Sequence, residues 1–191
     1  MTATAARGHQ VRQRLLAAAA ELIPEAGWSA VSTRILAQRA GVTPSVVHYH
    51  FPSLQAVLQE AALGVMRQAL AELDALVDGS AEPDDLIDAA LAVTRPYTDS
   101  APTTLLFVEA YLAAVRNESF GAEVAGLLAR SRARLAARLT AAGLEDADGA
   151  AAVVFAALDG LALQQGLGVG AGPSGVAAAL RRVVGGQGQR Q

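Results

Sequence analysis

No cysteine occurs anywhere in the 191 residues. That excludes a disulfide framework, a thiol nucleophile and cysteine-ligated zinc, and it suits a reducing compartment. Lysine is absent too, so all 15 basic side chains are arginine. Only 4% of the residues are aromatic. Histidine does not occur after His50, which leaves most of the chain without the commonest general base. No Gly-x-Ser-x-Gly elbow and no Walker sequence is present. Gly170-Ala171-Gly172-Pro173-Ser174-Gly175 has the dinucleotide-fingerprint spacing. It is led into by a helical pattern and not a strand, and the chain ends before an acidic partner ~20 residues on, so the match is rejected. The sequence reads as a non-enzyme with no cofactor.

Met1 to Gln10 is polar and carries no apolar core of signal-peptide length, so neither export nor transit is indicated and a cytoplasmic protein is expected. Gly160 to Leu180 is free of charge, yet it holds Gln164, Gln165, Pro173, Ser174 and several glycines. A spanning helix needs ~20 predominantly apolar residues, so no membrane span is read there. The positive mean hydropathy of +0.31 comes from 44 alanines, strong helix formers.

The net charge of -3 is unevenly spread. Residues 1 to 59 carry five arginines (Arg7, Arg12, Arg14, Arg34, Arg39) against Glu21 and Glu25, and all three histidines. The remaining 132 residues hold ten arginines and sixteen acids. A basic end on an acidic body suggests that only the first part meets a polyanion.

Helical periodicity organises the chain. Val11, Leu15, Ala18, Leu22 and Ile23 mark a first helix from about His9 to Ala26, ended by Gly27, with Pro24 expected to kink or fray its last turn. Ser32 is a good N-cap for a second helix through Ala40, and Gly41 supplies the C-cap. Thr43 offers a capping hydroxyl before Pro44, opening a third helix that ends near Phe51-Pro52. A long helix from Ser53 to Asp78 carries the apolar stripe Leu54, Leu58, Ala61, Val65, Ala69, Leu73 and Leu76. Further helices are expected at roughly 82–99, 102–116, 119–142, 147–167 and 174–184, with no strand. Four divisions follow: a flexible arm 1–9, a three-helix segment 10–52, a longer helical part 53–184, and a flexible tail 185–191.

Two short helices joined at Ala40-Gly41-Val42 form a helix-turn-helix, the motif that places its second helix in a major groove. Leu36, Ala37, Ala40, Val42 and Val47 can lock these helices to the first, with Trp28 and Phe51 as bulky core anchors facing it. Thr43, Pro44, Ser45, Val46, His48 and Tyr49 occupy the opposite face. They are small or hydrogen-bonding groups that can approach base edges and phosphates closely. His48 and His50 lie about 200° apart around a helix and cannot chelate one metal together, so no metal site is read.

The run from Gly27-Trp28 through Thr33-Arg34-Ile35-Leu36 to Thr43-Pro44-Ser45-Val46-Val47-His48-Tyr49-His50-Phe51 resembles the TetR family of bacterial transcription regulators. The resemblance covers about residues 10 to 60. It implies DNA contacts from Thr33 and Arg34 in the second helix, a backbone contact from Tyr49, and packing by Phe51. Leu54 stands where the family typically has a phosphate-reaching lysine, though the helix N-terminus there can still favour a phosphate through backbone donors. Ile35 replaces a common acidic residue, and Pro24 is unusual.

The longer C-terminal part resembles the family's ligand-binding region in length and helix content. Sparse aromatics among alanines can leave a cavity for an apolar ligand, or can simply fill the core. The pocket candidates are Tyr97, Phe107, Tyr111, Phe155 and Asp159, with Glu109 and Gln164 as further polar groups. Arg130, Arg134 and Arg138 form a positive ridge read as a solvated face. Asp146 to Leu167 and Val176 to Val184 look like paired dimerisation helices. The resemblance therefore implies an all-α homodimeric repressor of a palindromic double-stranded DNA operator, released by a small, mostly apolar effector. The alternative from another class is a small-molecule binding or sequestering helical protein whose helix-turn-helix is structural only.

Overall fold

The computed structural model describes residues 3–80, 82–92, 101–167, 169 and 173–185. Among them every regular element is a helix: α1 (Ala3–Ala26), α2 (Thr33–Ala40), α3 (Pro44–His50), α4 (Leu54–Asp78), α5 (Pro83–Ala92), α6 (Ala101–Val115), α7 (Glu118–Ala141), α8 (Ala147–Gly166) and α9 (Pro173–Gly185). The ends follow the local chemistry closely. The largest difference is at the start, where α1 begins at Ala3 and not near His9, taking in most of the expected arm. Pro24 does not stop it; the helix continues to Ala26, and Gly27 closes it at φ +85° with its N–H on the Ile23 carbonyl at 3.0 Å. The expected helix 82–99 is seen as α5, and its second part, with Tyr97, lies outside the described residues. α9 reaches Gly185, the first residue of the expected tail.

The described residues form two compact units that interleave along the sequence. One is drawn from 1–66 and 105–122, the other from 67–104 and 123–191. In the first unit Leu15, Leu22 and Ile23 of α1 are buried with Leu36 of α2, Val47 of α3, Phe51, and Val57 and Leu58 of α4. Removing such apolar side chains from water is the dominant stabilising term. Phe120 is fully buried in the same unit, with its ring 5.7 Å from that of Trp28. α6 and α7 approach each other closely across their short connection. A Cβ on Gly121 would fall 2.8 Å from the Ala114 carbonyl oxygen. The side-chain oxygen of Asn117 caps α7 by accepting the Phe120 N–H at 2.9 Å.

In the second unit Leu73 and Val77 of α4, Leu86 and Ala90 of α5, Leu135 and Leu139 of α7, Ala151 and Val154 of α8 and Leu180 of α9 make one apolar core. Leucines and alanines make up most of it. On the arginine ridge of α7, Arg130 and Arg134 are exposed as expected, but Arg134 and Arg138 also have partners. Arg134 pairs with Asp78, its Nε donating at 3.0 Å, and Arg138 donates to the Ser80 carbonyl. Ser131 adds a hydrogen bond to Asp74 at 2.5 Å. Acidic groups near the end of α4 place these partners opposite the ridge, a pairing that spacing within α7 alone could not reveal.

Candidate nucleic-acid interface

Local chemistry builds the helix-turn-helix. Ser32 is extended, and its hydroxyl accepts the Ile35 N–H at 3.3 Å, starting α2. Gly41 sits in the left-handed region at φ 65°, a conformation that favours glycine. Its N–H bonds the Gln38 carbonyl, and the Val42 N–H bonds the Ala37 carbonyl at 2.9 Å. These two bonds turn the chain sharply into Thr43. Pro44 then occupies the first turn of α3, where its missing donor costs nothing. Thr43 makes no side-chain capping bond, contrary to expectation; its hydroxyl pairs with that of Ser45 at 2.9 Å.

The two faces of α3 separate as periodicity requires. Val47 is 1% exposed, and Leu36 and Phe51 are buried beside it in the unit's core. Tyr49 is 85% exposed, and Thr43, Pro44, Ser45 and His48 are also exposed, with Val46 half-buried. On α2, Arg34 is exposed and Thr33 half-buried. Tyr49 and His50 meet edge to face at 5.1 Å. Trp28 is buried as expected, but its polar partners come from other helices than α1. Its backbone N–H donates to Glu109 of α6 at 3.0 Å, and its indole N–H donates to Gln55 of α4 at 2.9 Å.

Electrostatics refine the picture of a basic end. Arg39 is held by Glu25 and Glu21. The hydrogen bond from Arg39 pulls the Glu25 carboxyl below its ordinary pKa. Arg12 pairs with Glu60 and lies 4.5 Å from the centroid of the Phe51 ring. Two of the five N-terminal arginines therefore staple helices together. Arg7, Arg14 and Arg34 form no ion pair among the described residues. Arg14 lies beside the turn, its guanidinium 3.9 Å from where a Gly41 Cβ would be. Leu54 opens α4 half-buried, and Ser53 caps that helix by accepting the Ala56 N–H at 3.1 Å, so one of its backbone donors is already satisfied.

The described pocket candidates are divided between the two units. Phe107 and Tyr111 belong to the first unit and meet edge to face at 6.3 Å. Phe155 packs on the core of the second unit, and Asp159 is exposed there. Glu109 is engaged with the Trp28 N–H. The first unit also contains an open cleft of about 560 Å³ beside Trp28, lined by Gln55 and Gln59 of α4, Glu109 and Leu112 of α6, and Arg116. None of the four described candidates, Phe107, Tyr111, Phe155 and Asp159, lines it. No sequence signal marks this cleft, because its walls are brought together from residues over 80 positions apart.

An all-helical chain that anchors one face of a short second helix in a core and turns small polar groups outward is a helix-turn-helix DNA-binding protein. The chain belongs to the TetR family. It matches the family described as "Bacterial regulatory proteins, tetR family" over residues 15–61, and "Tetracyclin repressor-like, C-terminal domain" over residues 81–186. Membership makes it a transcriptional regulator: a ligand-responsive, DNA-binding repressor. The HTH-type transcriptional regulator BetI of Rhizobium meliloti (strain 1021) is 29% identical over 162 residues, 82% of this chain and 78% of its own length. The putative transcriptional regulator SCO7518 from Streptomyces coelicolor A3(2) superposes with a TM-score of 0.77 at 29% identity, covering 92% of this chain and 98% of its own. The multidrug binding protein EbrR, solved with malachite green, gives a TM-score of 0.70 at 26% identity, covering 91% and 97%.

Proposed function

We propose that two copies of this chain bind a palindromic operator, each inserting α3 into the major groove. The observation that carries this is the division of α3, with Val47 in the core and Tyr49 almost wholly exposed. Thr43, Pro44, Ser45, Val46 and His48 approach base edges, while Thr33, Arg34 and Tyr49 meet phosphates and sugars. Trp28, Leu36, Val47 and Phe51 hold that surface in place from within. Residues 10–52 serve as the reading head and 53–184 as the ligand-binding and dimerisation part, in a cytoplasmic protein.

The dimer is supported by α8. Its Ala147–Gln164 stretch is apolar and long enough to cross a membrane by length and composition, yet only 33% of it is buried within the chain. Val153 and Leu163 are exposed on it. Apolar surface of this kind, with small residues that permit close approach, suits a twofold helix interface.

A small, mostly apolar effector in the C-terminal core, with Phe155 and Asp159 of the second unit as candidate contacts, releases the operator. EbrR, with malachite green bound, supports a ligand of that size. Release requires that the effector bind more tightly to the form in which the two heads no longer match both half-sites. Gel-shift titration of the purified protein against the DNA upstream of its own gene, at several salt concentrations, tests the reading. Sequence-specific retention with a steep salt slope supports it. Failure to retain any genomic fragment even at low salt rejects it in favour of a sequestering protein.

A further inference from the structure

The cleft beside Trp28 carries two opposite charges that do not neutralise one another. Glu109 on α6 uses one carboxylate oxygen for the Trp28 N–H. Its other oxygen lies beside Gly27, 3.6 Å from where a Cβ would be, and accepts no hydrogen bond among the described residues. Arg116 follows α6, is exposed, and forms no ion pair among the described residues. Both residues line the same cleft of about 560 Å³, within the size range of small-molecule sites. They are seven positions apart, with Arg116 one residue past the end of α6, so their backbones are on the order of 10 Å apart. Leu112 lies between them and offers an apolar wall, half exposed at 49%.

The geometry points to this cleft as a binding site for an extended zwitterion, an ω-amino acid or short peptide. The ammonium end meets the open oxygen of Glu109, the carboxylate end meets Arg116, and the methylene chain runs over Leu112. Gln59 in the lining adds an amide able to bond either end. A ligand with one charge leaves the opposite anchor unanswered. Each contact is a charge-assisted hydrogen bond, the stronger kind. The site lies within the first unit and does not depend on DNA binding.

Calorimetric titration of the intact protein, without DNA, tests it with 6-aminohexanoate as the probe. Saturable binding is expected. Hexanoate and hexylamine, each lacking one charge, should bind at least about tenfold more weakly. Arg116→Ala should weaken the zwitterion by about tenfold or more, and it alters an exposed side chain outside any core. Glu109→Gln keeps an acceptor for the Trp28 N–H while removing the charge, so a similar loss there reports the ammonium contact and not unfolding. The proposal is overturned if the zwitterion gives no saturable binding up to about 10 mM, if the singly charged analogues bind equally well, or if neither substitution changes the affinity.

Discussion

The Arg12 guanidinium lies over the Phe51 ring, 4.5 Å from its centroid, and pairs with Glu60. One side chain therefore ties α1 to the residue that closes α3 and to the second turn of α4. The hydrogen bond to Glu60 raises the Arg12 pKa, so the cation persists under all ordinary conditions. A cation over an aromatic face contributes about 0.5–1 kcal/mol at a partly exposed site, and an exposed ion pair up to about 1 kcal/mol. Arg12→Ala should lower stability by about 1–2 kcal/mol in urea unfolding, and Glu60→Gln by less. Equal losses in the two variants would show that the ring contact contributes nothing.

Val47 and Tyr49 are two residues apart on α3 and should respond oppositely to truncation. Val47→Ala removes methyl groups from a closed core and should cost about 2 kcal/mol. Tyr49→Ala should leave the unfolding midpoint unchanged, because the side chain is 85% exposed, and should weaken operator binding instead. Gel shifts and urea melts on both variants separate the two effects. A large stability loss in Tyr49→Ala would place that side chain in the fold and remove it from the reading surface.

Arg34 gives the electrostatic counterpart. It is exposed and forms no ion pair among the described residues, in contrast to Arg39 five positions on. Arg34→Ala should weaken operator binding by roughly tenfold and lower the salt slope by about one unit per subunit. Arg39→Ala should leave the salt slope nearly unchanged, since Glu21 and Glu25 already answer its charge. Plots of log affinity against log salt concentration check both. An unchanged slope in Arg34→Ala would show that this residue does not reach a phosphate.

These contrasts mark what sequence patterns could and could not reveal. Ser32, Gly41 and Pro44 act on backbone atoms within a few residues, so the ends of α2 and α3 follow from local chemistry. The burial of Val47 and exposure of Tyr49 follow from helical period. Arg39 with Glu25, Arg12 with Glu60, and Arg134 with Asp78 depend on which helices lie side by side. The partners of the last pair are 56 residues apart, and no spacing rule reaches that far. The same limit applies to Trp28: its size marked it as core, but the choice of Gln55, Glu109 and Phe120 as neighbours belongs to tertiary packing. The early start of α1 was missed because Ala3 to Gly8 has no apolar stripe to announce a helix, although alanine favours one.

Acid should loosen the contact between α4 and α7. The hydrogen bond from Arg134 holds the Asp78 carboxyl below its ordinary value of 3.8. A carboxyl with a lower pKa folded than unfolded stabilises the fold fully above the unfolded value, and that contribution is lost as pH falls through the folded one. Wild type should therefore lose stability on acidification below about pH 4 more steeply than Asp78→Asn, which has no proton to take up there. Urea midpoints measured from neutral pH downward give the comparison. Parallel curves for the two proteins would mean that the pair contributes equally in the unfolded chain.

Two glycines in helices should respond in opposite directions to alanine. At Gly121 the added carbon would meet the Ala114 carbonyl oxygen at 2.8 Å. A backbone carbonyl cannot rotate aside as a side chain can, so α6 and α7 would have to move apart at their tightest approach, at a cost of about 1–3 kcal/mol. Gly64, inside α4, has no heavy atom within 4 Å of the same position. There alanine meets no obstacle and reduces the freedom of the unfolded chain, which should stabilise by about 0.5–1 kcal/mol. Thermal melts of Gly121→Ala and Gly64→Ala should shift down and up respectively. A neutral Gly121→Ala would show that the connection between α6 and α7 relaxes freely, and the close approach would then not constrain the fold.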